Sequence, residues 1–155
     1  MSLTIGAPAP AFSLPATGGR TLSLAGLKGQ PFVIYFYPRA DTPGCTKEAC
    51  AFQSGLRDFS QLGVTIIGVS KDSMKALEKF AEKYGLAFPL ASDPETTTIN
   101  AYGAWQEKSM YGKKYMGIER STVLVDKAGN IARHWPKVKI DGHAADVLAA
   151  VQALG

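Results

Sequence analysis

Phe32-Val33-Ile34-Tyr35-Phe36-Tyr37-Pro38-Arg39-Ala40-Asp41-Thr42-Pro43-Gly44-Cys45 is the stretch that decides how this chain folds. Its first six residues form an unbroken β-branched and aromatic run bounded by Pro31 and Pro38, the pattern of a strand buried on both faces. A loop rich in Pro, Asp, Thr and Gly follows. Apolar residues then recur at Ala49, Phe52, Leu56 and Phe59, which is helical spacing. With Thr42 as N-cap, Pro43 takes the first helical position and Cys45 the third. In a capping box that third position carries Glu or Gln. A thiol there is pushed toward thiolate by the helix dipole and the unpaired N–H groups.

Cys45 and Cys50 are the only cysteines in the chain. On a regular helix, residues five apart are separated by about 140° around the axis and about 7.5 Å along it. Their Cα atoms are then roughly 8.6 Å apart, beyond the ~7 Å that a disulfide bridges. Bonding the pair requires the first turns of the helix to unwind, so the sequence predicts different structures for the reduced and disulfide forms.

Upstream, Ala7-Pro8-Ala9-Pro10 is a stiff entry, and residues 12–14 and 21–24 flank a Gly18-Gly19 turn as an N-terminal hairpin. Downstream, residues 64–70 read as a second strand. Leu77, Phe80, Ala81 and Tyr84 mark an amphipathic helix stopped by Gly85. Asp93-Pro94 reads as N-cap and first residue of a short helix reaching about Tyr102. The polar, aromatic stretch 105–117 reads as a long surface loop. Residues 121–126 and 131–135 flank a turn as a second hairpin, and Asp141-Gly142 opens a last helix with Val147, Leu148, Val151 and Leu154 on its apolar face. A βαβ unit followed by a ββα unit predicts an α/β, thioredoxin-like fold. Its mixed central sheet is flanked by helices, with an N-terminal hairpin extension and a single domain over residues 1–155.

The 46% hydrophobic and 19% charged content excludes a disordered chain. No apolar run approaches the ~20 residues needed to span a bilayer, and residues 1–6 lack the basic and apolar regions of a secretion leader. A cytoplasmic location without a membrane partner is therefore expected. There a structural disulfide is unusual, so the cysteine pair reads as catalytic, redox-sensing or metal-binding. The net charge of +4 is dispersed, and no nucleic-acid partner is expected.

Other readings of the pair exist. Free cysteines are often small buried hydrophobes, but a Pro-Gly helix start beside Thr, Arg and Asp is an unusual setting for one. A zinc site from Cys45, Cys50, His134 and His143 requires histidines eight residues apart, outside the usual spacing. A thioredoxin-type oxidoreductase wants Cys-x-x-Cys. A redox-regulated holdase remains open.

Pro38, Thr42 and Cys45 match Pro-x-x-x-Thr-x-x-Cys, and Thr46-Lys47-Glu48-Ala49-Cys50 adds a second cysteine five residues on. Together with residues 111–122, which end in Arg120-Ser121-Thr122, this sequence resembles the peroxiredoxins, in particular their peroxiredoxin Q or bacterioferritin-comigratory-protein subfamily. The resemblance covers nearly the whole chain. Val123 stands where many members carry Phe, and Ala104 where many carry Val. It implies that Cys45 thiolate attacks a peroxide and becomes a sulfenic acid, which Cys50 converts to an intramolecular disulfide. Thioredoxin, or a glutaredoxin-like donor, then restores both thiols, without metal or organic cofactor. It places the Arg120 guanidinium beside Cys45 and gives Pro38 the role of shaping and shielding the pocket. Lowering any thiol from 8.5 to about 6 raises its thiolate fraction at neutral pH only about thirtyfold. The rest of the rate must come from groups that stabilise charge on the leaving oxygen. Thr42 Oγ, Arg120 and the Cys45 N–H are the candidate donors. Glu48 reads either as a partner orienting Arg120 or as a first-turn acid favoured by the dipole. Trp105 and Tyr111 read either as a hydrophobic wall for alkyl hydroperoxides or as packing. With both cysteines in one chain the cycle needs no second subunit, and a monomer is expected.

Overall fold

The computed structural model describes residues 3–154; Met1 and Ser2, part of the expected leaderless start, and Gly155, the end of the expected domain, lie outside it. β1 (Ser13–Ala16) and β2 (Arg20–Ser23) form the N-terminal hairpin, followed by a 3-10 turn at Ala25–Leu27. β3 (Phe32–Phe36) leads into α1 (Pro43–Ser54), α2 (Leu56–Gln61) and β4 (Thr65–Ser70). Then come α3 (Met74–Tyr84), β5 (Leu90–Ser92), α4 (Thr97–Ala101), β6 (Trp105–Met110) and β7 (Lys113–Ile118). β8 (Ser121–Val125), β9 (Ile131–Trp135) and α5 (His143–Ala153) complete the chain.

Seven strands form one mixed sheet in the order β2-β1-β5-β4-β3-β8-β9, with β3 in its interior beside the central β4. β3 is parallel to β4 and antiparallel to β8, so its five residues are buried on both sides, as an uninterrupted apolar run requires. Val33, Tyr35 and Tyr37 face a core built with α1, α2, α3 and α5, including Phe52, Phe59, Leu77, Phe80, Val147 and Val151. Phe32, Ile34 and Phe36 face a second core with Phe12, Ile99, Tyr102 and Ala104. The sheet thus carries its longer helices on one face, and α4 with the N-terminal segment on the other. Gly68 in β4 is required by packing: a Cβ there would lie 2.9 Å from the Tyr35 ring and from Leu90. The space it leaves lets Tyr35 stack on Phe52 of α1, ring centroids 4.8 Å apart.

Several boundaries differ from the sequence expectation. The helix after Gly44 is divided at Gly55, leaving α1 and α2 as separate pieces. The short helix begins at Thr97, not Pro94. Asp93 still satisfies its start, because Asp93 Oδ2 accepts from Ile99 N at 2.8 Å. β5 was not expected from the sequence; at three residues it is too short to show a period. The stretch read as a loop at 105–117 is instead the β6–β7 hairpin, turning at Tyr111-Gly112 with φ of 53° and 78°. Only Ile118 of these two strands is buried, so the sequence shows no alternation of apolar residues. On α5, Val147 and Val151 are buried, whereas Leu154 is 40% exposed at the C-terminal end. Among the described residues, no helix is long and apolar enough to cross a membrane.

Candidate active site

Tyr37 and half-buried Pro38 carry the chain from β3 into the loop before α1. The loop is held from the α3 side. Ala40 N–H donates to Asp72 Oδ2 at 2.7 Å, and Ser70 Oγ donates to the same oxygen at 2.7 Å. Asp41 takes φ of 58°, a left-handed conformation that Asp tolerates better than most residues. Its carboxylate accepts from Lys83 Nζ at 3.0 Å and Tyr84 Oη at 2.8 Å.

Thr42 stands at the N-cap with extended backbone and Pro43 at the first helical position, as expected. Its side chain does not cap: Oγ1 donates to Arg39 O at 2.8 Å. The first intrahelical bond runs from Thr46 N–H to Thr42 O, 2.8 Å, so the Gly44 and Cys45 amides have no intrahelical acceptor. The helix end is therefore open where the thiol sits. The hydroxyl hydrogen is thus engaged with Arg39 O, which leaves the Thr42 oxygen able to accept.

Cys45 is buried on the face of α1 that carries Ala49 and Phe52. Arg120, between β7 and β8 and next to the end of β3, reaches it: Nη2 donates to Cys45 Sγ at 3.4 Å and Nη1 to Glu48 Oε1 at 2.7 Å. This close approach depends on Gly44. A Cβ at Gly44 would meet Arg120 Nη2 at 3.2 Å and Ile140 Cδ1 at 3.4 Å. The segment after β9 closes over the same end: Val138 N–H donates to Arg120 O at 2.9 Å, and Lys47 pairs with Asp141. Cys50 is half-buried, and both thiols are free within one unbroken helix.

Glu48 is 1% exposed, and its Oε2 has no hydrogen-bond partner among the described residues. Burial raises its carboxyl to about 7, against the opposing pull of Arg120. In the sequence Glu48 reads as a partner orienting Arg120 or as a first-turn acid; the structure shows the first. Its signal was the three-residue spacing from Cys45, which puts both on one helix face. Gly44, Ile140 and Asp72 carried no such signal, because their roles come from segments distant in sequence.

The structure thus brings Cys45, Arg120 and Glu48 together and puts Thr42 at the same helix end. Pro38 stands at the entry to the loop, and Cys50 lies one and a half turns along α1. Tyr111, 97% exposed at its turn, cannot wall a pocket, and Trp105 packs under Lys71 at 5.2 Å. The histidines of the zinc reading are engaged elsewhere. His143 Nε2 bonds Thr122 Oγ1 at 2.8 Å and His134 lies on β9; among the described residues no three metal-binding side chains converge.

An open helix end, a buried thiol and a guanidinium beside it on a thioredoxin-like sheet agree with the family comparison: residues 5–134 match AhpC/TSA, and the chain belongs to that family. Within it, the likeness is to the Bcp and peroxiredoxin Q proteins. The putative peroxiredoxin bcp of Coxiella burnetii is 51% identical over 148 residues, 96% of this chain and 98% of that one. Peroxiredoxin Bcp of Bacillus subtilis is 44% identical over 98% of this chain and 97% of its own. Among solved structures, Xanthomonas campestris peroxiredoxin Q superposes with a TM-score of 0.88 at 45% identity, covering 92% of this chain and 90% of that one. The X. campestris bacterioferritin comigratory protein, solved in trapped intermediate and ligand complexes that bear on its alkyl peroxide reduction, matches with a TM-score of 0.88 at 44% identity over 92% and 91%.

Proposed function

We propose that this chain, acting as one domain, is a thiol peroxidase that reduces hydrogen peroxide and organic hydroperoxides. The observation that carries the reading is the Arg120 guanidinium placed 3.4 Å from a buried thiol at an uncapped helix N-terminus. Cys45 thiolate attacks the terminal peroxide oxygen: the S–O bond forms as the O–O bond breaks, and the electron pair departs on the leaving oxygen. Thr42 Oγ1 accepts the hydrogen of the attacked hydroxyl and so orients it. The Gly44 and Cys45 amides and Arg120 supply positive potential where negative charge develops. Pro38 has no donor and acts by excluding water from the loop side.

Cys50 then attacks the Cys45 sulfenic acid, expelling water and forming the intramolecular disulfide. This step follows opening of α1, since both cysteines sit on one continuous helix. A thioredoxin or glutaredoxin-like dithiol reduces the disulfide. The chain completes this cycle as a monomer in the cytoplasm, with no metal or organic cofactor. A spectrophotometric assay coupling peroxide addition to thioredoxin oxidation tests the reading. Sustained peroxide-dependent turnover is expected. Disulfide exchange without peroxide turnover would instead make the protein a thiol–disulfide oxidoreductase, and client binding without turnover a holdase.

A further inference from the structure

Two groups that can carry negative charge, Cys45 and Glu48, share a single cation. Arg120 donates one nitrogen to each, at 3.4 and 2.7 Å, and no other cation contacts either group among the described residues. Both are buried, Glu48 at 1% and Cys45 at 2% exposure. Of the other titratable groups packed against this face, Tyr35 and Tyr37 are buried phenols that desolvation keeps neutral, and burial likewise keeps His143 of α5, edge-on to Phe52, neutral. Placing two anions against one guanidinium would leave an uncompensated buried charge, which a low-dielectric site strongly resists. One negative charge, not two, balances the guanidinium, and the unpartnered Glu48 Oε2 is free to carry a proton.

From this arrangement we propose that Glu48 is the proton carrier of the peroxide step, taking the Cys45 thiol proton and delivering it to the leaving oxygen. The inference rests on the peroxidase reading above and assigns it an acid. The balance closes within the site. Transfer from Sγ to the carboxylate gives thiolate and carboxylic acid. The thiolate pair forms the S–O bond, sulfur is oxidised by two electrons and the O–O bond is reduced. The departing alkoxide or hydroxide takes the Glu48 proton and leaves as alcohol or water. The attacked oxygen keeps its own hydrogen as the sulfenic acid. A carboxyl raised to about 7 by burial is matched to donate and accept near neutral pH.

Glu48→Gln tests this, because the amide still accepts from Arg120 but cannot release a proton. The readout is the single-turnover rate with two substrates of different leaving-group basicity, a peracid that expels a weakly basic carboxylate and tert-butyl hydroperoxide that expels a strongly basic alkoxide. With the alkyl hydroperoxide the variant is expected to lose on the order of 10²-fold, the usual size of a general-acid contribution. With the peracid it should stay within about threefold of wild type: that leaving group needs no proton, and with Glu48 neutralised Arg120 faces the thiol alone, so the thiol can lose its proton to solvent before the attack. Equal losses on both substrates would overturn the proposal and leave Glu48 as a positioning residue for Arg120. So would wild-type rates on both. The peracid arm also guards against misfolding, because a disrupted site would be slow with either substrate. Absence of peroxide turnover in the wild type is a separate result, striking the peroxidase reading itself.

Discussion

At Cys45 the chemistry depends on what the neighbouring residues leave unfilled. Thr42 withholds its side chain from the helix end, and Gly44 withholds a Cβ from the path of Arg120. Replacing Cys45 with Ser should abolish peroxide reduction, because a serine hydroxyl is barely ionised at neutral pH and attacks peroxide poorly. The thioredoxin-coupled assay checks this. Arg120→Met keeps much of the side-chain length but removes the charge-assisted donor. The peroxide step should slow by on the order of 10²–10³, read by stopped-flow, with far-ultraviolet dichroism unchanged. A rate within about twofold of wild type would return Arg120 to a structural role. Gly44→Ala pushes on the guanidinium by a few tenths of an ångström. It should slow the same step roughly tenfold through misplacement, while thermal stability holds or rises because Ala adopts helical backbone at less conformational cost than Gly.

Helix α1 is the element that must change state. Its Phe52 stacks on Tyr35 and meets the His143 ring edge-on at 6.0 Å, while Lys47 pairs with Asp141 at its start. Disulfide formation therefore has to break contacts to the sheet, to α5 and to the segment before it. Gly55 already interrupts the helical run, so the opening should end there and leave α2 in place. Amide hydrogen exchange should show protection in residues 44–54 falling sharply on oxidation while β3 stays protected. Unchanged protection, with the disulfide confirmed by mass, would mean the pair bonds without unwinding. Much of this element was legible in sequence: the apolar spacing of Ala49, Phe52 and Phe59 and the Thr-Pro-Gly start place Cys45 on its buried face. The uncapped role of Thr42 was not, because the choice between the helix amides and Arg39 O is made by loop geometry. The β6–β7 hairpin was illegible for a related reason. Hydrophobic period reports burial, and a hairpin in solvent leaves only its turn as a signal, here Tyr111-Gly112.

Two buried groups give the whole molecule opposing pH dependences. Desolvation lowers His143 from 6.5 to about 4, so the fold holds it neutral. Between those values the unfolded chain binds more protons, and this contribution to stability grows as pH rises. Glu48 is raised from 4.5 to about 7, so the folded state binds more protons, and its contribution is lost as pH rises through that window. Relative to wild type, Glu48→Gln should gain thermal stability as pH goes from 4.5 to 7, and His143→Asn should lose it from 4 to 6.5. Thermal midpoints across this range check both signs. The most direct test of the peroxidase cycle is intact mass spectrometry of fully reduced protein after one equivalent of peroxide, on wild type, Cys45→Ser and Cys50→Ser. Wild type should lose two hydrogens at monomer mass, Cys50→Ser should gain one oxygen, which a digest places on the peptide carrying Cys45, and Cys45→Ser should be unchanged. Oxidation of Cys45→Ser at the wild-type rate, or a wild-type protein that keeps both thiols free, would contradict the account.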